Sequence, residues 1–270
     1  MSKIFFSWFR FPRPPGNYWV LKIILIFSVS LSLWSLIHHS QDVPPDLYPY
    51  LTTIQPKLVL SCIEEGKGIT PDSWADLLAV KSSLPETQAN HLIIQIRNHK
   101  RFGVLDWGNL KRDIRKTITQ RRNYLLSYPY YLPNQYQFPV QGKTWYEDSF
   151  GADREGGKRQ HEGTDLFGQE GTRIVSVSSG SIEKLGWNRL GGERVGIRGD
   201  DGNYYYYAHL KEINPVLVLG QRIGKGEFVG TMGHTGDALT TPDHLHFGIQ
   251  LPNEEWVNPY PFLAVWDNFS

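Results

Sequence analysis

The sequence predicts a mostly β C-terminal domain, preceded by a short, mostly helical region and by one N-terminal transmembrane helix. Three observations predict this order. A long apolar run lies near the N-terminus, and two stretches with helical periodicity follow it. From about residue 133, glycine becomes frequent and short apolar runs alternate with turn residues. The predicted divisions are therefore residues 1–17, 18–37, 38–132 and 133–270.

The apolar run, residues 18–37, reads YWVLKIILIFSVSLSLWSLI and contains one charged residue, Lys22. About 20 mostly apolar residues suffice for a helix to span the hydrocarbon core of a membrane. Three basic residues precede the run and two acidic residues follow it within the next ten positions. The positive-inside rule therefore predicts a single-pass protein of the cell membrane, with residues 1–17 in the cytoplasm and the C-terminal domain outside.

Two alternatives compete with an uncleaved membrane anchor. The residues after the run, HHSQDVPPD, contain no small-x-small cleavage pattern, which disfavours a cleaved signal peptide. The length of the run and the charge asymmetry around it disfavour a buried core helix. An uncleaved anchor is the favoured interpretation.

Composition excludes one class of function and leaves the compartment open. The formal net charge is +1, so the sequence lacks the strongly basic footprint of a nucleic-acid-binding protein, and we expect no nucleic-acid partner. The single cysteine, Cys62, cannot form an intrachain disulfide and does not decide the redox compartment. Hydrophobic residues make up 40% of the chain, which is enough for a buried core.

A linker and a first helix are predicted after the apolar run. Residues 40–51 are polar and rich in proline, which is typical of a linker. Thr70, Pro71 and Asp72 resemble the start of a helix, and a rough apolar stripe follows that includes Trp74, Leu77, Leu78 and Val80. We expect residues 52–130 as a whole to be mostly helical.

A second helix is predicted from Asp106 to about Leu126. Leu110, Ile114 and Ile118 share one face of it, and six basic residues lie on the other. The basic face is either a solvated surface, which is the favoured interpretation, or a contact with anionic lipid headgroups or wall polymers.

The C-terminal half has the pattern of an antiparallel β domain. Short β-branched or aromatic runs are separated by turn residues, and Asp200-Asp201-Gly202-Asn203 between two runs predicts a hairpin. These runs, with their flanking turn residues, are TRIVSVSSG, GSIEKLGW, ERVGIRGDDG, NYYYYAHL, QRIGKGEFVGTMG and HLHFGIQL.

Five of the nine histidines fall in this β domain. His161 and Asp165 are four residues apart with Gly163 between them, a spacing that a surface turn would also show. His244 and His246 would lie on the same face of a strand. Two imidazoles there are costly to crowd unless they share a metal ion or a proton-transfer task.

These residues match the ligand chemistry of catalytic zinc. Such sites use three nitrogen or oxygen ligands from the protein and leave a fourth position for water. His161, Asp165 and one of the pair His244 and His246 would make such a set. The remaining member of the pair, with His209, would then move protons to and from a water that the metal activates.

The motifs around these residues resemble peptidase family M23, the lysostaphin-like zinc endopeptidases. The resemblance covers roughly residues 140–262. It rests on HEGTD at 161–165, YAHL at 207–210, GQRIGKG at 220–226, GTMGHTG at 230–236, HLHFG at 244–248 and VNP at 257–259.

The resemblance implies a fold and a role for each polar residue. The implied fold is a small antiparallel sheet with an open groove along which a substrate peptide lies. By position in the motifs, His161, Asp165 and His246 would bind one Zn²⁺ per chain. His209 and His244 would flank the metal, activate the water and stabilise the tetrahedral oxyanion.

Three features depart from the family pattern or invite another interpretation. Residues 153–160, DREGGKRQ, are more charged than expected before this histidine. His234 takes the place of a turn residue and is interpreted as such rather than as a ligand. Glu162 suggests an HExxH motif, which we reject because position 165 is Asp and not a second histidine.

The sequence therefore predicts a membrane-anchored zinc endopeptidase that hydrolyses peptide bonds of peptidoglycan, in a cross-bridge or a stem peptide. The alternative is a non-catalytic module of the same family that binds cell wall or a partner protein as a regulator or scaffold. A third and weaker hypothesis is a metal-independent structural protein. Catalysis is favoured because all five polar site positions are present in the expected order.

Overall fold

The computed structural model describes residues 47–154 and 156–269. In this part of the chain, helices come first and strands follow. The helices are α1 (Leu47–Thr53), α2 (Pro56–Gly66), α3 (Ser73–Lys81), α4 (Glu86–Arg97), α5 (Arg112–Ser127) and α6 (Tyr260–Trp266). The strands are β1 (Val140–Gln141), β2 (Thr144–Trp145), β3 (Asp153–Arg154), β4 (Arg159–Gln160), β5 (Thr164–Gly168), β6 (Arg173–Val175), β7 (Gly180–Asn188), β8 (Gly192–Gly199), β9 (Tyr204–Ile213), β10 (Arg222–Ile223), β11 (Phe228–Met232), β12 (His244–Gln250) and β13 (Trp256–Val257).

The predicted membrane anchor, residues 18–37, and the predicted cytoplasmic residues 1–17 lie outside the described residues. Within the part of the chain that the structure describes, none of the helices combines the length and the apolar character that crossing a membrane requires.

The helical region has the predicted helix content, with one correction at its start. The predicted linker, residues 40–51, is wrong for residues 47–51, because they form most of α1. Leu51 is fully buried, and the Tyr131 hydroxyl donates a hydrogen bond to its carbonyl oxygen. Apolar contact with the rest of the protein therefore overrides the local proline-rich composition.

The two predicted helices are present with shifted starts. Helix α3 begins at Ser73 and is buried from Ser73 to Val80, which explains why its apolar stripe was rough. Helix α5 begins at Arg112 rather than at Asp106. Asp106 accepts a hydrogen bond from the Gly108 amide (3.0 Å), and Gly108 has a φ of +53°, so a turn occupies the first residues of the predicted helix.

The basic face of α5 is divided between internal contacts and solvent. Arg121 donates hydrogen bonds to Ser83 and to the backbone, and Arg122 pairs with Asp76 of α3 at 2.6 Å. Three other basic residues remain exposed, namely Lys111, Arg112 and Lys116.

The antiparallel β domain is confirmed. One 11-stranded sheet contains seven strands in the order β1-β6-β11-β9-β12-β5-β2, and β7, β8, β10 and β13 extend it through further antiparallel pairs. The predicted hairpin at residues 200–203 joins β8 to β9, and Gly202 adopts a φ of +84° there. Strands β3 and β4 form a separate two-stranded hairpin.

The helices and the sheet share one hydrophobic core. Tyr130 and Tyr131 pack against Phe262 of α6, and the Trp266 indole donates a hydrogen bond of 2.6 Å to the Tyr130 carbonyl. The Tyr48 hydroxyl of α1 also donates a hydrogen bond of 3.0 Å to Asn203 Oδ1 in the β8–β9 hairpin. The predicted boundary between residues 132 and 133 thus falls within a continuous packing unit and stays a prediction.

Candidate metal centre

Three neighbouring strands bring the predicted site residues together. Strand β12 lies between β5 and β9, and His246 pairs in register with Asp165 on one side and Ala208 on the other. Because side chains alternate along a strand, the apolar neighbours of these residues point into the core. Asp165, His244 and His246 therefore share the opposite face.

His161, Asp165 and His246 form a convergent set of donor atoms. The His161 Nε2 and Asp165 Oδ1 atoms are 3.0 Å apart, and the His246 Nδ1 atom lies 3.0 Å from that oxygen. The two imidazole nitrogens are 2.9 Å apart. Among residues 47–154 and 156–269, no other cluster of three or more His, Cys, Asp or Glu side chains has this geometry.

Two features indicate that this set fits a zinc ion. Tetrahedral ligands at about 2.0–2.1 Å from zinc lie about 3.3 Å apart, so the three donors need to separate by only a few tenths of an ångström. Gly163 is also close to the His246 ring, because a Cβ atom there would lie 2.7 Å from its Cε1 atom. The glycine between His161 and Asp165 is thus required by close packing against the third donor.

Backbone carbonyls fix the ring orientation of His161 and His244 by accepting a hydrogen bond from the Nδ1 atom of each. The Nδ1 atom of His161 lies 2.9 Å from the Ser149 carbonyl oxygen, and that of His244 lies 2.8 Å from the Pro242 carbonyl oxygen. A carbonyl can only accept, so each Nδ1 atom carries the proton and each Nε2 atom keeps a lone pair. The His244 Nε2 atom lies 3.9 Å from Asp165 Oδ1 and therefore faces the site.

His209 reaches the same face through an unusual backbone conformation. Its φ is +62°, in the left-handed region, which costs roughly 1–2 kcal/mol for a residue other than glycine. The pairing of β9 with β11 shifts register beside it, between Thr231 and Met232. The His209 Nδ1 atom lies 2.8 Å from the Thr235 carbonyl oxygen, and its ring centroid lies 4.9 Å from that of His244.

The pKa shifts are consistent with a neutral imidazole beside an ionised carboxylate. Burial lowers the pKa of His209 to about 4, and the neighbouring His246 and His244 add to this effect. Burial likewise lowers the pKa of His246. Burial by itself would raise the pKa of Asp165, but the adjacent His161 and His246 imidazoles hold it well below its ordinary value.

The donor set lines a groove of about 640 Å³ that is flanked by aromatic side chains. On one side, Phe167 lies 5.1 Å from His244, and the exposed Trp145 stacks on Phe167 at 4.3 Å between ring centroids. On the other side, the ring centroid of Tyr206 lies 6.0 Å from that of His246 and 6.1 Å from that of Trp256. An open groove with a polar centre and aromatic flanks suits an extended peptide.

The remaining polar residues that the sequence singled out lie outside the donor set. His234 follows β11 and pairs with Asp243 at 2.6 Å, a position that suits the interpretation as a turn residue. Glu162 is exposed at the edge of the groove.

The sequence did not identify Arg154, Phe167, Tyr206 and Trp256 as residues of the site. The charged stretch at residues 153–160 was a signal for Arg154, whose Nη2 atom lies 2.6 Å from Asp165 Oδ2. The three aromatic residues carried no local signal, because strand pairing brings them to the groove.

An antiparallel sheet that presents two histidines and a carboxylate as convergent donors, beside two further histidines, has the side chains that a metal-dependent hydrolase requires. Residues 159–259 match the model described as Peptidase family M23. This matched segment contains all five predicted site residues.

Comparison with characterised proteins gives the same family. The chain is 36% identical over 144 residues to the L-Ala--D-Glu endopeptidase of Bacillus subtilis, a match that covers 50% of this chain and 44% of that protein. It is 35% identical over 108 residues to the glycyl-glycine endopeptidase ALE-1 of Staphylococcus capitis, covering 38% of this chain and 29% of that protein. This chain thus spans less than half the length of both relatives.

A crystal structure of lytM from Ruminococcus gnavus extends the likeness beyond the family domain. Its TM-score is 0.54 at 27% sequence identity, and the match covers 86% of this chain and 95% of that one. So large a share includes helical residues that precede the sheet. The combination of helices and sheet is therefore common to both proteins.

Proposed function

We propose that this protein is a zinc endopeptidase that hydrolyses peptide bonds of peptidoglycan. The observation that carries the proposal is the convergence of His161 Nε2, Asp165 Oδ1 and His246 Nδ1 at the centre of an open groove. The names of the two relatives, an L-Ala--D-Glu endopeptidase and a glycyl-glycine endopeptidase, support peptide linkages of this kind as the substrate class.

The three donors would hold the zinc ion, and the Nδ1 anchor of His161 orients its ring for this role. When bound, zinc polarises a substrate carbonyl and lowers the pKa of a coordinated water toward neutrality. The negative charge of Asp165 and two neutral imidazoles give a donor set of the hard and borderline type that zinc accepts.

His209 and His244 would transfer protons as general base and general acid. Each donates its Nδ1 proton to a carbonyl, which leaves Nε2 as a base in the groove. The low pKa of His209 keeps it neutral at physiological pH, so it can accept a proton from the attacking water. Once protonated, either ring can return the proton to the leaving amine and donate a hydrogen bond to the oxyanion.

The test uses the full-length protein, elemental analysis and purified peptidoglycan. We expect about one zinc per chain and release of new amino groups from the wall, and mass spectrometry of the fragments would identify the bond. His246→Ala should lose both properties. The matched variant His234→Ala should keep its zinc, because His234 pairs with Asp243 and not with the donor set.

Two outcomes would contradict parts of this proposal. Zinc binding without release of amines from any wall preparation would favour the alternative, a non-catalytic module that binds wall or a partner protein. A folded protein that binds no zinc would exclude the metal-dependent mechanism. In that case, the structural hypothesis would be the better account.

We also propose that residues 18–37 anchor the protein in the cell membrane with the peptidase domain outside. The 20-residue apolar run and the basic residues before it support this topology. The full-length chain should remain in membranes after alkaline washing, and a protease added to cells without a wall should digest its C-terminal domain. Recovery of a chain shortened after residue 37 in the soluble fraction would instead establish the cleaved signal peptide.

A further inference from the structure

The two oxygen atoms of Asp165 have different partners. Oδ1 lies 3.0 Å from both His161 Nε2 and His246 Nδ1, so it belongs to the donor set. Oδ2 instead accepts a hydrogen bond of 2.6 Å from Arg154 Nη2. The Asp165 side chain is 9% exposed and the Arg154 side chain is 37% exposed, so the carboxylate is the shielded partner of this charge-assisted contact.

Arg154 lies on a hairpin that is built together with His161. It belongs to β3, which pairs with β4, and β4 leads directly into His161. Two backbone hydrogen bonds join the base of this hairpin, from the His161 amide to the Ala152 carbonyl (2.9 Å) and from the Gly151 amide to the His161 carbonyl (2.8 Å). The same hairpin thus positions both the Arg154 guanidinium and His161.

We propose that Arg154 is a positioning residue that restricts Asp165 to a single donor oxygen. This inference rests on the proposed zinc site. With Oδ2 engaged by the guanidinium, Asp165 offers Oδ1 alone, and the protein supplies three donor atoms in total. A catalytic site needs a fourth position for water, and a carboxylate that binds through both oxygens would occupy it.

This role predicts that metal binding and activity respond in opposite directions. Loss of the guanidinium removes a positive charge next to a site for a cation and releases a second carboxylate oxygen. Zinc should therefore bind as tightly as before or more tightly. Activity should fall about 10- to 100-fold, the usual effect of removing a residue that orients a metal ligand.

The experiment compares three variants of the full-length chain. Arg154→Met removes the donor and the charge, and Arg154→Lys keeps the charge without the planar fork. Lys158→Met removes one positive charge from the exposed tip of the same hairpin and serves as the matched control. Zinc affinity is measured by competition with a chelator, and the visible spectrum of the Co²⁺-loaded protein reports coordination number.

We expect Arg154→Met to retain zinc, to lose activity and to give a weaker Co²⁺ spectrum, as a rise in coordination number would produce. Arg154→Lys should recover part of each property, and Lys158→Met should match the unsubstituted protein. A parallel loss of zinc affinity and activity in Arg154→Met would show a merely structural role and overturn the inference. An unchanged Co²⁺ spectrum would overturn it too, whereas failure of the unsubstituted protein to bind metal would instead contradict the proposed function.

Discussion

Single hydrogen bonds decide which nitrogen of each histidine is available for chemistry. His161, His209 and His244 each direct Nδ1 to a backbone carbonyl, from Ser149, Thr235 and Pro242 in turn. His246 differs, since its Nδ1 atom faces Asp165. Carbonyl groups from three separate loops thus leave Nε2 as the available nitrogen of three histidines, whereas His246 presents Nδ1.

At the same scale, a buried ion pair fixes the helical region. Asp76 of α3 has a side chain that is 6% exposed, and Arg122 of α5 lies 2.6 Å from it. Burial raises the pKa of Asp76 above its ordinary value, although the hydrogen bond from Arg122 opposes this rise. The ionised carboxylate is therefore tolerated inside the protein because Arg122 accompanies it.

Arg122→Met should lower the free energy of unfolding by about 3 kcal/mol at neutral pH, because it leaves the Asp76 carboxylate buried and unpaired. The substitution raises the folded-state pKa of Asp76 further above the unfolded value. The folded state then binds a proton more readily than the unfolded state, so the deficit should shrink as the pH falls through the folded-state pKa. Urea unfolding at about pH 7.5 and about pH 4.5 measures both effects.

The control for this substitution is Arg112→Met. Arg112 is exposed at the start of the same helix, and its replacement should change stability by less than about 0.5 kcal/mol at either pH. A deficit of Arg122→Met that stays constant with pH would contradict the role assigned to Asp76.

At the scale of elements, a contact between two glycines holds the loop that positions His209. Gly236 has a φ of +73°, and a Cβ atom there would lie 2.2 Å from the Gly192 amide nitrogen. This close approach joins the loop after β11 to the β7–β8 hairpin. Thr235, next to Gly236, accepts the His209 hydrogen bond through its carbonyl.

Gly236→Ala should therefore cost more than backbone strain alone. Gly68→Ala is the matched control, since Gly68 has a similar φ of +79° but no atom within 4 Å of its Cβ position. The control should lose roughly 1–2 kcal/mol of stability. Gly236→Ala should lose a further 1–3 kcal/mol or so from overpacking.

Peptidase activity separates the two glycine variants further. Gly236→Ala should lose activity because Thr235 shifts and releases the Nδ1 anchor of His209, whereas Gly68→Ala should keep full activity. Urea unfolding and amine release from purified walls measure the two effects. Equal stability losses in the two variants would show that the contact with Gly192 relaxes without consequence.

At the scale of the whole molecule, the helical region and the sheet stabilise each other. Tyr131 is fully buried and packs on Phe262, and the Trp266 indole bonds to the Tyr130 carbonyl. Tyr48 of α1 donates a hydrogen bond of 3.0 Å to Asn203 in the β8–β9 hairpin. The helical region and the loop after it therefore pack against apolar side chains of the C-terminal segment.

A chain of residues 133–270 should accordingly be far less stable than a chain of residues 43–270. The shorter chain exposes Phe262 and Trp266, and each large side chain contributes about 1.5–3 kcal/mol when buried. Such losses approach the free energy of unfolding of a typical protein, which is about 5–15 kcal/mol. Thermal unfolding followed by circular dichroism compares the two chains. Equal midpoints would support an independent domain that begins at residue 133.

Much of the fold was predictable wherever the signal was local. Alternation and turn residues predicted the strands from β6 to β12 and the hairpin at residues 200–203. The starts of α3 and α5 were less accurate, and α1 was mistaken for linker. Those elements depend on burial by distant residues, as Leu51 shows through its contact with Tyr131.

The sequence by itself determined the order of helices and strands. Through the resemblance, it also singled out His161, Asp165, His209, His244 and His246 as candidate site residues. Side-chain type and spacing carry that information, because donor chemistry and strand periodicity are local properties. The tertiary structure decided that one oxygen of Asp165 faces the histidines and the other faces Arg154. It also decided which backbone carbonyls orient the histidine rings, and that helices and sheet share one core. Each of these depends on contacts between residues far apart in the chain, which no local pattern records.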